Sequence, residues 1–234
     1  MTNISSKNLF KFKINDFYSS SDFKLNKLFD LHGSDKGTAD HSSKKPYKWN
    51  SHTYGAYYSK LFDHCKNNII RIFECGLGTN NTTIPSNMGA KGRPGASLRA
   101  WRDYFQNANI YGGDIDKNIL FDELRIKTFY VDQTNPLTIK NMWKKINLKN
   151  FDLIIDDGLH IFNASINFFE ISINYLSNNG IYIIEDVQTS EFKDFKEYFD
   201  MQKDVFNVNF LILENPSNPK TNNNLIEIRK ININ

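Results

Sequence analysis

The chain has 234 residues, of which 40% are hydrophobic, 14% aromatic and 24% charged, the balance of one ordinary globular domain and not of a disordered or fibrous chain. Its net charge of +3 arises from 29 basic and 26 acidic residues that are interspersed without an arginine-rich run, which argues against nucleic acid as a partner. Two cysteines are too few for a disulfide framework or a cysteine metal site. With neither a leader-like segment nor a run of about 18 apolar residues, a cytoplasmic protein without a membrane span is expected.

Taken in order, Phe23, Leu25, Leu28, Phe29 and Leu31 have the spacing of a short amphipathic helix, followed by Gly33-Ser34-Asp35-Lys36-Gly37 and a polar loop over 38–51. His52 to Lys66 reads as a helix that buries Tyr54, Tyr58, Leu61 and Phe62. Residues 1–66 therefore form a helical N-terminal extension, expected to lid a binding site, ahead of a Rossmann-like domain over 67–234, the two making one compact unit.

Ile69 to Glu74 is a buried strand that ends at glycines, and the Gly/Pro/Asn-rich loop 79–95 leads to a helix for which Ser97 is a suitable cap. Six further strand candidates follow at 109–112, 127–131, 151–155, 180–184, 207–213 and 225–230, with helical stretches at 138–146, 161–176 and 191–199 separating most of them. This alternation predicts an α/β fold, a Rossmann-like seven-stranded, mostly parallel sheet with helices on both faces. The short link between the last two strands, 214–224, predicts an antiparallel hairpin at one sheet edge.

The chemistry clusters where these strands end. Phe73-Glu74-Cys75-Gly76-Leu77-Gly78-Thr79 delivers an acid and then two glycines, which let backbone approach a ligand closely. Asp114, in Gly112-Gly113-Asp114-Ile115-Asp116, ends the next strand, where a carboxylate accepts hydrogen bonds from ribose hydroxyls. Asp132-Gln133 ends the third, placed to read an adenine amino group, and Asp156-Asp157-Gly158 ends the fourth. Asn81 occupies the position of the third glycine of a dinucleotide fingerprint, and a pyrophosphate would meet acids there. S-adenosylmethionine, which carries no phosphate, fits these strand ends better.

A second group joins Asp156-Asp157-Gly158-Leu159-His160 to Glu185-Asp186, up to four carboxylates and an imidazole over one crevice. Crowded negative charge of this kind is unfavourable without a cation. Oxygen ligands favour Mg²⁺, Mn²⁺ or Ca²⁺ over zinc, and such an ion lowers the pKa of a bound hydroxyl. Histidine being the side chain that exchanges protons near neutrality, His160 is the candidate general base.

These segments, with His52-x-Tyr54-x-x-x-Tyr58, Pro94-Gly95-Ala96-Ser97-Leu98-Arg99-Ala100-Trp101 and Ile184-Glu185-Asp186-Val187-Gln188-Thr189-Ser190, resemble the metal-dependent sugar O-methyltransferases of the mycinamicin type and related bacterial capsule and cephalosporin-hydroxylase-like proteins. The resemblance runs from about residue 28 to 190. It implies a class I S-adenosylmethionine-dependent O-methyltransferase with Mg²⁺ held by Asp157, Glu185 and Asp186, His160 as base, and an oligomeric assembly. Glu74, Gly76, Asp114, Asp132 and Gln133 would hold the cofactor, with Lys36 and Tyr54 closing over its methionine end. Gly78, Ser97 and Asp156 complete the cofactor-binding set, and Asp157 is grouped with His160 as catalytic. Leu159 departs from the small serine common in the family, and 39–51 is longer than its usual link.

The acceptor implied is a sugar hydroxyl on a small molecule or nucleotide-linked sugar, with capsule or surface-glycan precursors as the leading class. Other readings are a phosphorylated or phosphoramidate acceptor met by Lys44, Lys45, Lys91 and Arg93, an Fe²⁺ hydroxylase, and a non-catalytic cofactor-binding module. A single histidine counts against the iron site.

Overall fold

The computed structural model describes residues 9–13, 24–38, 45–52, 54–214 and 223–231. Residues 39–44 of the polar loop, Lys44 among them, and 215–222 of the link between the last two strands lie outside these residues. In chain order the elements are β1 (Leu9–Lys13), α1 (Lys24–His32), α2 (Tyr54–Phe62), β2 (Arg71–Cys75), α3 (Ala96–Tyr104), β3 (Asn109–Asp114), β4 (Asp122–Glu123) and β5 (Ile126–Tyr130). There follow α4 (Pro136–Ile146), β6 (Phe151–Asp156), α5 (Phe162–Ser172), β7 (Leu176–Ile184), α6 (Phe192–Asp200), β8 (Phe206–Glu214) and β9 (Asn224–Lys230).

The strands form one nine-stranded sheet in the order β1-β8-β9-β7-β6-β2-β3-β5-β4. Seven of them are those expected from the sequence, and the fold class is as read. The other two are corrections to it. β4 is a two-residue strand antiparallel to β5. β1 pairs in parallel with β8, so the N-terminal extension contributes a strand as well as helices. The hairpin is antiparallel as expected, but β9 is inserted between β7 and β8, and the edge place belongs to β1. Five residues, two of them lysines, carry too short a pattern to announce a strand whose partner lies about 200 positions away.

Alternate residues of the inner strands divide between two cores. Ile72, Leu153, Ile155, Ile181 and Ile183 face one core with Leu25, Phe29, Tyr58, Phe62, Trp101 and Phe105 of α1, α2 and the α3 region. Phe73, Ile154, Tyr182 and Ile184 face the other with Met142, Trp143, Phe168, Phe169, Phe195 and Phe199 of α4, α5 and α6. Burial on both faces is why these strands read as continuous apolar runs. Full burial of each such side chain contributes about 1.5–3 kcal/mol before entropy is charged against it.

The chain runs from β2 outward through β3 to β5, then returns to β6 on the other side of β2. Connections therefore diverge on either side of β2, which opens a crevice at the carboxyl ends of β2 and β6. Along the sheet, the strand ends present Asp186 after β7, Asp157 after β6, Gly76 after β2, Asp114 on β3 and Asp132 after β5 in spatial succession.

Candidate active site

A cavity of about 520 Å³ occupies this crevice. It is lined by Gly76, Gly78, Asp114, Asp132, Gln133, Asp157, His160 and Asp186 among the residues singled out in the sequence. Lys36, Tyr54, Glu74, Ser97, Asp156 and Glu185 do not line it, and all six are buried behind its wall.

The glycine end is built around backbone. Gly76 has φ of +93°, and a Cβ there would lie 1.9 Å from the carbonyl oxygen of Asp157. Only glycine allows the β2 and β6 ends to come this close. Asp114 Oδ2 accepts from Leu77 N–H at 2.7 Å, while its Oδ1 accepts from Asp116 N–H at 2.8 Å, so its carboxylate braces the glycine loop. Burial raises the Asp114 pKa, against the lowering by these backbone donors. Thr79 Oγ1 donates to Asp116 at 2.6 Å, a second brace that the sequence reading did not include.

Gln133 joins two strand ends, donating from Nε2 to Asp156 Oδ1 at 2.5 Å and accepting from Leu159 N–H at 2.8 Å. Asp156 thus holds Gln133 from beneath. Ser97 is not the cap expected of it: α3 starts at Ala96 behind Gly95, whose φ of +74° lies in the left-handed region, and no side chain caps the helix. Ser97 instead lies beside Glu74 and helps to lower its carboxyl pKa against burial, and Glu74 accepts from Trp101 Nε1 at 2.5 Å.

At the other end, Asp157, His160 and Asp186 each bring one ligand atom into a group whose members lie within 4.8 Å of one another. His160 and Asp186 both adopt left-handed backbone, with φ of +57° and +54°. Such conformations cost a non-glycine residue on the order of 1–3 kcal/mol and gather at functional sites. His160 Nε2 lies 3.9 Å from Asp186 Oδ2. Tyr54 Oη donates to Asp186 Oδ1 at 2.5 Å and accepts from the Asp186 N–H at 3.2 Å, which pins the left-handed turn.

A second imidazole, unassigned in the sequence reading, flanks the same carboxylate. His52 Nδ1 lies 3.3 Å from Asp186 Oδ1, its Nε2 lies 3.5 Å from Asp35 Oδ2, and its ring stacks on Tyr54 at 5.2 Å. Burial opposes the charged form of Asp186, but His52 and His160 outweigh it and hold the carboxyl below its usual range. His52 in turn is raised: its desolvation is overcome by Asp186 and Asp35. The His52-x-Tyr54 spacing was the available signal, since both side chains reach Asp186.

Glu185 stands apart from the cluster. Its carboxylate accepts from Tyr58 Oη at 2.6 Å and is ion-paired to Lys36, which also lies 2.5 Å from Asp157 Oδ2 and 3.4 Å from Glu74 Oε1. Lys36 was expected over a cofactor and Glu185 on a metal; the structure pairs them with each other beneath the cavity. Desolvation works against the ammonium of Lys36, yet its three carboxylate neighbours raise its pKa well above the ordinary value. Burial also pushes the Glu185 carboxyl well up, against the pull of Lys36.

The chain is similar over most of its structure to MycE methyltransferase of the mycinamycin biosynthetic pathway in complex with Mg, S-adenosylhomocysteine and mycinamycin VI. The TM-score is 0.63 at 22% identity, covering 91% of this chain and 56% of that one. The fold is that of a class I methyltransferase. In sequence the chain is 31% identical over 153 residues to the 8-demethyl-8-alpha-L-rhamnosyl tetracenomycin-C 2'-O-methyltransferase of Streptomyces olivaceus, covering 65% of this chain and 38% of the relative. It is 32% identical over 155 residues to the mycinamicin VI 2''-O-methyltransferase of Micromonospora griseorubida, covering 65% of this chain and 36% of the relative. The chain thus spans little more than a third of the length of these curated relatives. No family model matches the chain.

The donor set fits the groups that the likeness implies. The Asp157 and Asp186 carboxylates, brought within 4.8 Å of each other and of the His160 imidazole, suit a hard divalent cation with open positions for oxygen ligands and leave the imidazole beside it. The glycine end offers Gly76, Gly78 and the Asp114 and Asp132 carboxylates, and among the described residues no lysine or arginine lines the wall, which suits a phosphate-free nucleoside cofactor.

Proposed function

We propose that the protein is an S-adenosylmethionine-dependent O-methyltransferase that methylates a sugar hydroxyl with the help of Mg²⁺ or a similar cation. The observation that carries this reading is one cavity with a glycine-and-aspartate end and, at the ends of the neighbouring β6 and β7, a cluster of Asp157, His160 and Asp186. The named relatives, sugar O-methyltransferases of natural-product pathways, support it.

When bound, the cofactor supplies an electrophilic methyl group and the cation lowers the pKa of the acceptor hydroxyl. Gly76 and Gly78 would admit the cofactor against backbone, Asp114 would accept from its ribose hydroxyls, and Asp132 with Gln133 would hold its adenine. Asp157 and Asp186 would hold the cation. His160, its Nε2 3.9 Å from Asp186 Oδ2, would take the hydroxyl proton at its ring nitrogen. Holding acceptor and cofactor together in one cavity would contribute the rest of the acceleration. Lys36, Tyr54 and Glu185 act from beneath by holding Asp157 and Asp186 in place. Glu185 joins the cation only where its contact with Lys36 opens.

Capsule and surface-glycan precursors have no support from the relatives, which are named for natural-product glycosides, so the acceptor is assigned to the small-molecule class. A cytoplasmic site of action accords with the two free cysteines. Among the described residues no helix is long and apolar enough to cross a membrane. Oligomerisation and the absence of a nucleic-acid partner rest on the resemblance and the mixed charge. His52 supplies the second imidazole whose absence had counted against an iron hydroxylase, but Asp35 and Asp186 occupy both of its nitrogens.

The deciding experiment is calorimetric titration with S-adenosylmethionine and S-adenosylhomocysteine, with and without Mg²⁺, for the wild type and Asp157→Ala. Micromolar binding of both ligands, with Mg²⁺ binding lost in the variant, is the expected result. Absence of cofactor binding overturns the reading.

A further inference from the structure

Trp49 stands out among the cavity walls. Of the three tryptophans, Trp101 and Trp143 are fully buried, whereas Trp49 is 37% exposed. Apart from the two imidazoles it is the only aromatic ring lining the cavity among the described residues. Its indole is not free to turn: Nε1 donates to Asp35 Oδ2 at 2.7 Å, and Tyr47 lies behind it at 5.6 Å between ring centroids. Asp35 is in turn 3.5 Å from His52, which touches Asp186, so the ring belongs to the His160 end of the cavity and not to the glycine end.

The charge of the cavity restricts what rests there. Five aspartates line it and no lysine or arginine does, among the described residues. Among the described residues a phosphate finds no lysine or arginine on the wall to pair with, whereas an uncharged ring with hydroxyls finds carboxylates to accept its hydrogen bonds. A fixed aromatic face beside such acceptors suits a pyranoside, whose C–H face is apolar and whose edge is polar.

We propose that Trp49 is the platform for the acceptor, an uncharged pyranoside whose apolar face lies on the indole while its hydroxyl is presented to His160. This rests on the methyltransferase reading for the reaction, and it argues against the phosphorylated acceptor. Lys45, expected to meet such a phosphate, instead hydrogen-bonds Ser51 and covers the Tyr47 ring.

The test is ligand-observed saturation-transfer NMR on the full chain with S-adenosylhomocysteine and Mg²⁺ present. The probes are methyl α-L-rhamnopyranoside, methyl α-D-glucopyranoside and glucose 1-phosphate. The expected result is strongest saturation on the C–H protons of one face of a neutral glycoside, little on the phosphate, retention in Trp49→Phe and affinity weakened about tenfold or more in Trp49→Ala. Unchanged calorimetric binding of S-adenosylhomocysteine by Trp49→Ala excludes misfolding as the cause. Equal glycoside binding by Trp49→Ala, preference for the phosphate, or no saturation of either glycoside overturns the platform. Loss of S-adenosylhomocysteine binding in the wild type with glycoside saturation intact would sink the methyltransferase reading and support the sugar platform.

Discussion

Lys36 is ion-paired with Glu185 across 149 residues of sequence, in a site where the lysine is 2% exposed and the glutamate fully buried. One ammonium there meets three carboxylates, counting Asp157 and Glu74. The arrangement ties the loop after α1 to the ends of β2, β6 and β7.

Lys36→Met is expected to destabilise the protein by about 3–5 kcal/mol, because it leaves buried carboxylates without a counter-charge. Urea unfolding at neutral pH measures this. A further Glu185→Gln change in the same chain is expected to recover part of the loss, whereas strictly additive losses would show that the pair is not coupled.

His160→Ala is expected to lower kcat by about 10²–10⁴-fold while leaving cofactor affinity intact, as loss of a general base does. Asp186→Asn is expected to weaken Mg²⁺ binding and to lower kcat as well, since it touches both the cluster and the imidazoles. Steady-state kinetics with a glycoside acceptor at several Mg²⁺ concentrations separates the two effects. A His160→Ala enzyme of wild-type rate would remove His160 from the mechanism.

Gly76→Ala places a methyl group against the Asp157 carbonyl and forces a non-glycine residue to φ of +93°. A cost of at least about 1–3 kcal/mol is expected from backbone strain alone, with loss of cofactor binding as the strand ends separate. Thermal unfolding and calorimetry on the variant test this, and a Tm and cofactor affinity equal to the wild type would contradict it.

Asp103 on α3 accepts from His32 Nε2 of α1 at 2.8 Å and from Arg102 at the same distance. Partial burial raises its pKa, but the Arg102 and His32 hydrogen bonds prevail and lower it. A carboxyl lowered in the folded state contributes stability above its unfolded pKa, about 3.9, and loses it as pH falls through the folded value. The Tm difference between wild type and Asp103→Asn should therefore be present at pH 6 and shrink towards pH 3, corresponding to at most about 1 kcal/mol for so exposed a pair. A difference that grows on acidification would reverse the assignment.

Much of this protein was determined by local sequence. The seven principal strands, the helices between them, the hairpin and the acids at successive strand ends are written in apolar periodicity and in glycines. A strand buried on both faces and a βα turn need only their own residues to declare themselves. Gly76, Asp114, Asp157, His160 and Asp186 were found that way, and the structure places them all on the cavity.

Only the tertiary structure decided which charges meet. Lys36 and Glu185, Tyr54 and Asp186, and Tyr58 and Glu185 are each separated by more than 120 residues. No local pattern specifies that a lysine in one loop will lie under the carboxylates of three strands, or that His52 and Trp49 will reach the same cavity. Pairings of that kind follow from strand order and from the cost of leaving a buried charge alone, and both exist only once the sheet has closed.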